Sequence, residues 1–306
     1  MTFQTFEPAE VEAALAGRYI VGPKIATGGQ GAVFRATRTS GRDGTATKDP
    51  VALKLHFDPT QAFRVQAEVA VLESLSHPNL ARLLEHGHCY VAGRKSLYIA
   101  YEFIEGQSLK QRLKSGGRLL ESEVLPIGRD ISAAIEMLWS HRIVHGDIKP
   151  SNIMLRTAGG AVLIDLGILK FFEDYNANRT FKPVDRFSPD VVVPWGTAGY
   201  LSPEQAKKEK LTCASDVFSL GIVLLESLQG WHPTNHNQSA LANGISAKER
   251  RLDVSASLLG VLDQMLAVTP RDRGKVAKLS SYFQLLQQKL EAEFARGNPV
   301  PRKVQG

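Results

Sequence analysis

Residues 143–152 read Ile143-Val144-His145-Gly146-Asp147-Ile148-Lys149-Pro150-Ser151-Asn152. An apolar, strand-like lead enters a polar turn that carries a histidine, an aspartate, a lysine and an asparagine. Asp147, Lys149 and Asn152 supply one acidic, one cationic and one amide group. These suit a proton acceptor, a neutraliser of phosphate charge and a ligand for a hard cation. A solvated loop shares this composition, so the meaning of the stretch depends on what flanks it. Downstream, Val162-Leu163-Ile164-Asp165-Leu166-Gly167 is an apolar strand that delivers one carboxylate to a turn, a way of aiming it at a divalent cation. Upstream, Val51-Ala52-Leu53-Lys54 ends an apolar strand on an ammonium, and a buried ammonium needs an anionic partner. Glu68 is the candidate, on a helix whose apolar face carries Val65, Val69, Leu72 and Leu75. Further upstream, Thr27-Gly28-Gly29-Gln30-Gly31-Ala32-Val33 lies between two strand-like runs. Glycines without Cβ let such a turn approach a phosphate chain with its N–H groups facing the oxygens, although a plain hairpin reads the same way.

Composition bounds these readings. The chain has 306 residues, 43% hydrophobic and 22% charged, as expected of an ordinary globular protein of about two domains or one large bilobal unit. The net charge of +6 is spread along the chain without a block of like charges. With no recognisable reader motif, a nucleic-acid partner is not expected. Cys89 and Cys213 form no C-x-x-C pair, which argues against a zinc site and against a secreted disulfide framework. The first 17 residues contain acidic but no basic side chains and no long apolar core, unlike a signal peptide. The most apolar stretch, 217–225, falls short of the ~20 residues that span a bilayer. Together these features predict a cytoplasmic protein without a membrane span.

Strand-like runs at 19–25, 32–37, 51–56 and 97–103 come first. Helical patterning follows: Val124, Ile127, Ile131, Ala134 and Leu138 share one face, and 217–228 and 258–266 read as buried helices. Residues 39–50 (TSGRDGTATKDP) and 171–195 read as loops, the second long enough to be functional. The expected fold class is α+β, with an N-terminal extension at 1–17, a small β-rich part at 18–104, a larger helical part at 105–292 and a flexible basic tail at 293–306.

In this order the four motifs resemble the eukaryotic-type protein kinase family, over roughly residues 18–290. Residues 27–33 resemble its Gly-rich loop, VALK its V-A-I-K strand, HGDIKPSN its H-R-D-x-K-x-x-N loop and DLG its D-F-G. Further on, Gly196-Thr197-Ala198-Gly199-Tyr200-Leu201-Ser202-Pro203-Glu204 is similar to G-T-x-x-Y-x-A-P-E, particularly in the bacterial serine/threonine branch. Asp216-Val217-Phe218-Ser219-Leu220-Gly221 resembles the D-x-W/Y-S-x-G helix, and Arg273 the late arginine that pairs with the glutamate at 204. The resemblance implies a bilobal kinase fold, a β-rich N-lobe with one helix C and a helical C-lobe. It implies transfer of the ATP γ-phosphoryl to Ser or Thr hydroxyls of proteins, the chain itself included, with Mg²⁺ or Mn²⁺. Asp147 would accept the hydroxyl proton, Lys149 would neutralise the phosphoryl, and Asn152 and Asp165 would hold the metal. Thr197 would join the catalytic group, and with Lys149 it resembles the serine/threonine rather than the tyrosine kinases. Lys54 would bind the α/β-phosphates, held by Glu68. Gly28 and Gly31 would cover the nucleotide, residues 102–104 (Glu102 and Ile104 at the ends) would meet adenine, and Ile25, Val33, Ala52 and Met154 would line its ring. Tyr101 takes the gatekeeper place. Leu72, Leu83, His145 and Leu166 would form an apolar spine, with Asp216 anchoring His145.

The sequence also departs from the family pattern. Ala26 stands where the first loop glycine usually is, and Gly146 replaces the arginine of HRD. That arginine often binds a phosphorylated loop residue, so its absence implies activity without loop phosphorylation. HGD followed by I-D-x-G also resembles small-molecule phosphotransferases of the aminoglycoside type, and a scaffold that binds without transfer is the other alternative.

Overall fold

The structure, a computed structural model, describes residues 6–28, 31–39, 46–56, 69–70, 72–165, 170–171, 196–209, 211–250 and 252–296. The chain divides into two compact units, Met1–Glu105 and Gly106–Gly306.

The first unit is built on five antiparallel strands: β1 (Tyr19–Gly28), β2 (Gly31–Thr39), β3 (Ala46–His56), β4 (Leu83–Val91) and β5 (Arg94–Glu102), in the order β1-β2-β3-β5-β4. The side-chain period of two divides the sheet into two faces. Ala32, Phe34 and Ala36 of β2 and Val51, Leu53 and Leu55 of β3 belong to one buried core. Val33 and Arg35 pair across from Lys54 and Ala52 on the opposite face. Strand β3 is longer than the sequence predicts. Residues 46–50, read as loop, extend the β2–β3 hairpin, with Thr39 paired to Ala46 and Thr37 to Pro50. Proline is tolerated there because β5 begins pairing only at Val51, so Pro50 needs no N–H for a second neighbour. Residues 40–45 and the face position Val65 lie outside the described residues, while Val69, Leu72 and Leu75 are buried, as their spacing predicts.

The extension at 1–17 contains structure that its composition does not reveal. Helix α1 (Pro8–Ala14) starts with proline at its first turn, where the missing N–H costs nothing. It sets Val11 into the core of the sheet, and the flanking Phe6 and Leu15 join it there with Phe34, Leu53, Leu55 and Tyr98. The Glu12 carboxylate accepts the N–H of Val21 at 2.7 Å, tying the helix to β1.

The second unit is mainly helical. It contains β6 (Gly106–Ser108), α2 (Leu109–Gly116), α3 (Glu121–Ser140), β7 (Ile143–Val144), β8 (Ile153–Arg156), β9 (Ala161–Leu163) and β10 (Lys170–Phe171). These are followed by α4 (Pro203–Ala206), α5 (Cys213–Gln229), α6 (Gln238–Leu241), α7 (Ala256–Met265) and α8 (Leu279–Ala295). The face of α3 carrying Val124, Ile127, Ile131, Ala134 and Leu138 is buried as its period predicts. Helix α5 is buried nearly all round, which explains its continuous apolar run. Helix α8 extends to Ala295, so residues 293–295 are helical rather than the start of a tail, and 297–306 lie outside the described residues. Among the described residues no helix is long and apolar enough to cross a membrane.

If α1 is an integral part of the first core, Leu15→Ala should cost ~2–5 kcal/mol in urea unfolding, as for other fully buried leucines. Tyr90→Ala, at a side chain 66% exposed, should change the midpoint by no more than ~0.5 kcal/mol. A Leu15 variant as stable as wild type would make α1 a dispensable appendage.

Candidate active site

The polar turn quoted above follows β7, and a buried carboxylate holds it from within. Asp216, in the first turn of α5, accepts the N–H of His145 and the N–H of Gly146, both at 2.8 Å. Burial pushes the Asp216 carboxyl above its usual range, and the His145 ring and the two amide donors oppose that rise. Gly146 has φ +77°, a left-handed conformation that glycine adopts without a Cβ penalty. Its carbonyl accepts from Gln205 Nε2 at 2.7 Å, so the turn is held on both sides of the peptide.

On this base Asp147 is surrounded by donors. Lys149 Nζ lies 2.6 Å from Oδ2, and the Thr197 hydroxyl donates to Oδ1 at 2.7 Å. Lys149 Nζ also donates to Thr197 Oγ1 at 2.7 Å, closing a triangle of carboxylate, ammonium and hydroxyl. Asn152 Nδ2 donates to the Asp147 carbonyl at 3.0 Å and to Oδ2 at 3.3 Å. Its amide oxygen accepts from the Ser151 hydroxyl at 3.4 Å. The β8–β9 register supplies the next group. Ile153 pairs with Leu163, and the N–H of Ile164 donates to the Asn152 carbonyl at 2.9 Å, which places Asp165 one residue beyond that contact. A carboxylate and an amide oxygen are hard donors that suit Mg²⁺, which usually takes one or two protein ligands and fills its shell with water and phosphate. Among the described residues no group of three or more His, Cys, Asp or Glu side chains forms a cage of its own.

Thus Asp147, Lys149, Asn152 and Thr197 come together in the second unit, with Asp165 adjacent in register to Asn152. Met154 lies in the same unit on β8, paired with Ser108 and Val162. In the first unit Lys54 is buried and directly opposite Val33, and Ala52 is opposite Tyr101. Gly28 pairs with Gly31, Ile25 is exposed, Glu102 pairs with Val51 and Ile104 is buried. Gly31 has a stricter role than approach to a ligand. A Cβ there would lie 1.9 Å from the Leu55 carbonyl oxygen, so glycine is what lets β2 and β3 meet. Glu68, Leu166 and Gly167, with the residues 172–195 of the long segment, lie outside the described residues.

Several residues of the site escape sequence reading. Gln205 is one. His232 and Gln238, which hold the Gly199 backbone, are others, and their only local signal is an unremarkable polar loop. The predicted Arg273–Glu204 pair is present and fully inside, with contacts of 2.7 and 2.8 Å. The guanidinium also donates to the carbonyls of Ala214, Ala267 and Val268, so all five of its N–H groups are used.

Residues 19–284 match the protein kinase domain. The chain belongs to that family. Among its relatives, a protein named probable serine/threonine-protein kinase in Streptomyces coelicolor is 35% identical over 70% of this chain and 30% of its own length. The serine/threonine-protein kinase PknA of Mycobacterium tuberculosis is 32% identical over 73% of this chain and 49% of its own. PknB of Mycolicibacterium smegmatis is 29% identical over 86% and 42% respectively. The chain therefore spans about a third to a half of the length of these curated relatives.

In this kinase domain the Glu204–Arg273 pair sets a pH window. Burial pushes the Glu204 carboxyl up, but the Arg273 guanidinium and the Ser215 hydroxyl outweigh it and hold it below its ordinary value of 4.5. Its stabilisation is therefore complete above the unfolded value and is lost as pH falls through the lower, folded one. Glu204→Gln should lower stability at pH 7 by ~3–5 kcal/mol, because it strands a buried guanidinium. The gap between variant and wild type should narrow in urea titrations below pH ~4. A gap independent of pH would mean that the ionised pair is not its source.

Proposed function

We propose that this protein kinase domain transfers the γ-phosphoryl of ATP to Ser or Thr hydroxyls of protein substrates in the cytoplasm. The observation that carries this reading is the triangle of Asp147, Lys149 and Thr197. Asp147 orients the acceptor hydroxyl and takes its proton. Lys149, already fixed on that carboxylate, brings positive charge to the phosphoryl in flight. Such positioning and charge neutralisation supply most of the catalysis in phosphoryl transfer. Lys54 holds the α/β-phosphates, Glu68 holds Lys54, and Gly28 and Gly31 pass over the nucleotide. Glu102 and Ile104 offer backbone groups to adenine, and Ile25, Val33, Ala52 and Met154 line its ring. Asn152 and Asp165 would hold Mg²⁺, or Mn²⁺, which when bound offsets phosphate charge. Thr197 comes from a segment that resembles the peptide-binding stretch of protein kinases, and this favours a protein acceptor over a small molecule. The names of the relatives point the same way. The chain itself is a further candidate acceptor.

Gly146 sharpens the proposal. The catalytic turn is held by Asp216 and Gln205, and it has no guanidinium at 146 to be neutralised by a phosphate. Activity then does not depend on phosphorylation of the 168–201 segment.

With radiolabelled ATP, Mg²⁺ and a generic basic protein, label should appear on Ser and Thr. Asp147→Asn should slow transfer ~10²–10⁴-fold, the usual share of a positioned general base. Lys54→Ala should abolish labelling, and Thr180→Ala with Ser188→Ala should leave it near wild type. Undiminished transfer by Asp147→Asn would remove the assigned base, and ATP binding without turnover in wild type would leave a scaffold.

A further inference from the structure

Beyond Thr197 the backbone of the acceptor segment is held by side chains from elsewhere. Both polar groups of Gly199 are engaged: its N–H donates to Gln238 Oε1 at 2.9 Å, and its carbonyl lies 2.9 Å from His232 Nε2. Gln238 uses its other end as well, since Nε2 donates to the Leu201 carbonyl at 2.7 Å. Between these contacts, the Tyr200 carbonyl accepts from Ser219 Oγ and its hydroxyl donates to Glu226 Oε2, each at 2.7 Å.

The imidazole of His232 has one arrangement that satisfies this geometry. Its Nδ1 accepts the N–H of His236 at 2.8 Å and that of Thr234 at 3.2 Å. A ring nitrogen facing two donors carries no proton, so the single N–H sits on Nε2 and donates to the Gly199 carbonyl. Burial, reinforced by the His236 ring, holds the His232 pKa down at about 4, which keeps this neutral donor in place at neutral pH. The His236 ring stacks on it with centroids 4.1 Å apart.

The loop that presents these groups is strained. Asn235 and His236 both have left-handed backbones, with φ of 48° and 61°. Such strain persists where the surroundings over-determine it, and it concentrates at functional sites. Its product here is a His236 N–H aimed at His232. The grip on the segment is close: Gly199 has φ +93°, and a Cβ on it would lie 2.8 Å from His236 Cα.

We infer that His232 and Gln238 are positioning residues that clamp the two peptide groups of Gly199 and thereby set the affinity for the acceptor peptide rather than for ATP. This rests on the kinase reading above. Thr197, two residues before the clamp, bonds to Asp147, and Ala198 between them is exposed, so the clamp fixes the segment where an incoming chain would lie against it.

The test is steady-state transfer to a Ser/Thr peptide by the full chain, together with amide hydrogen exchange over residues 197–201. His232→Phe and Gln238→Leu should each raise the peptide KM roughly tenfold, with the ATP KM moved by less than about twofold. Exchange over 197–201 should accelerate in both variants. His232→Gln restores a donor at the Nε2 position and should recover most of the peptide affinity. An unchanged peptide KM in both variants would overturn the inference. So would a joint shift of kcat, both KM values and the melting temperature with no rescue by His232→Gln, since that pattern marks simple destabilisation. A wild-type chain that transfers no phosphoryl group would instead defeat the kinase reading, and the assigned role of the clamp with it.

Discussion

Two hydrogen bonds deep in the second unit, from the N–H groups of His145 and Gly146 to the Asp216 carboxylate, hold the turn that carries Asp147, Lys149 and Asn152. A fully buried carboxylate is costly unless its oxygens are used, and burial alone would favour its neutral form. The two amides offset part of that cost, and the position in the first turn of α5 places the charge at the favourable end of the helix dipole. The dependence is mutual. If residues 145–147 moved, Asp216 would be left buried and unpaired, so the turn that carries Asp147 is held by the penalty for abandoning its anchor.

Helix α5 extends the same control to residues 200–204. Ser215 donates to Glu204, Ser219 donates to the Tyr200 carbonyl, and Glu226 accepts from the Tyr200 hydroxyl. The spacing of these residues, four and then seven, keeps them on one helical face. One buried helix therefore holds both the turn that carries Asp147 and the backbone that follows Thr197. Arg273 closes the arrangement from the other side. Its guanidinium ties Glu204 to the start of α5 through Ala214 and to the chain after α7 through Ala267 and Val268.

This division of labour explains what could be read without a structure. Asp147, Lys149 and Asn152 are close in sequence and chemically distinctive, and the apolar period of α3 repeats over about four turns, so both were legible. Thr197 and Asp216 became legible only through a family resemblance, because each meets its partner across 50 to 71 residues. Strand β4 was overlooked because Leu83–Val91 is interrupted by the run Glu85-His86-Gly87-His88 and lies at the edge of the sheet, so no apolar alternation marks it. Helix α1 is too short to announce itself, and its three apolar anchors have meaning only against the sheet they cover. The role of Gly31 was read as room for a phosphate, whereas the closest constraint is the Leu55 carbonyl of its own sheet.

His232 and Gln238 were invisible for a further reason. Neither has an unusual neighbour in sequence, and their chemistry depends on which atoms face Gly199. A histidine with two amides on Nδ1 is a fixed donor, whereas one with a free Nδ1 could switch tautomers and let go. The loop from Trp231 to Asn237 supplies those amides only by accepting left-handed backbone at two residues. The hold on Gly199 thus draws on left-handed backbone in a neighbouring loop. The catalytic turn, by contrast, puts its own left-handed residue at a glycine, Gly146, where the same geometry costs little. Asp165, the proposed metal ligand, also has a positive φ, of 64°, so both halves of the proposed site contain a non-glycine residue with left-handed backbone. The turn proposed to carry the base has no guanidinium awaiting a phosphate, and the segment proposed to receive the acceptor is held by side chains of the neighbouring loop.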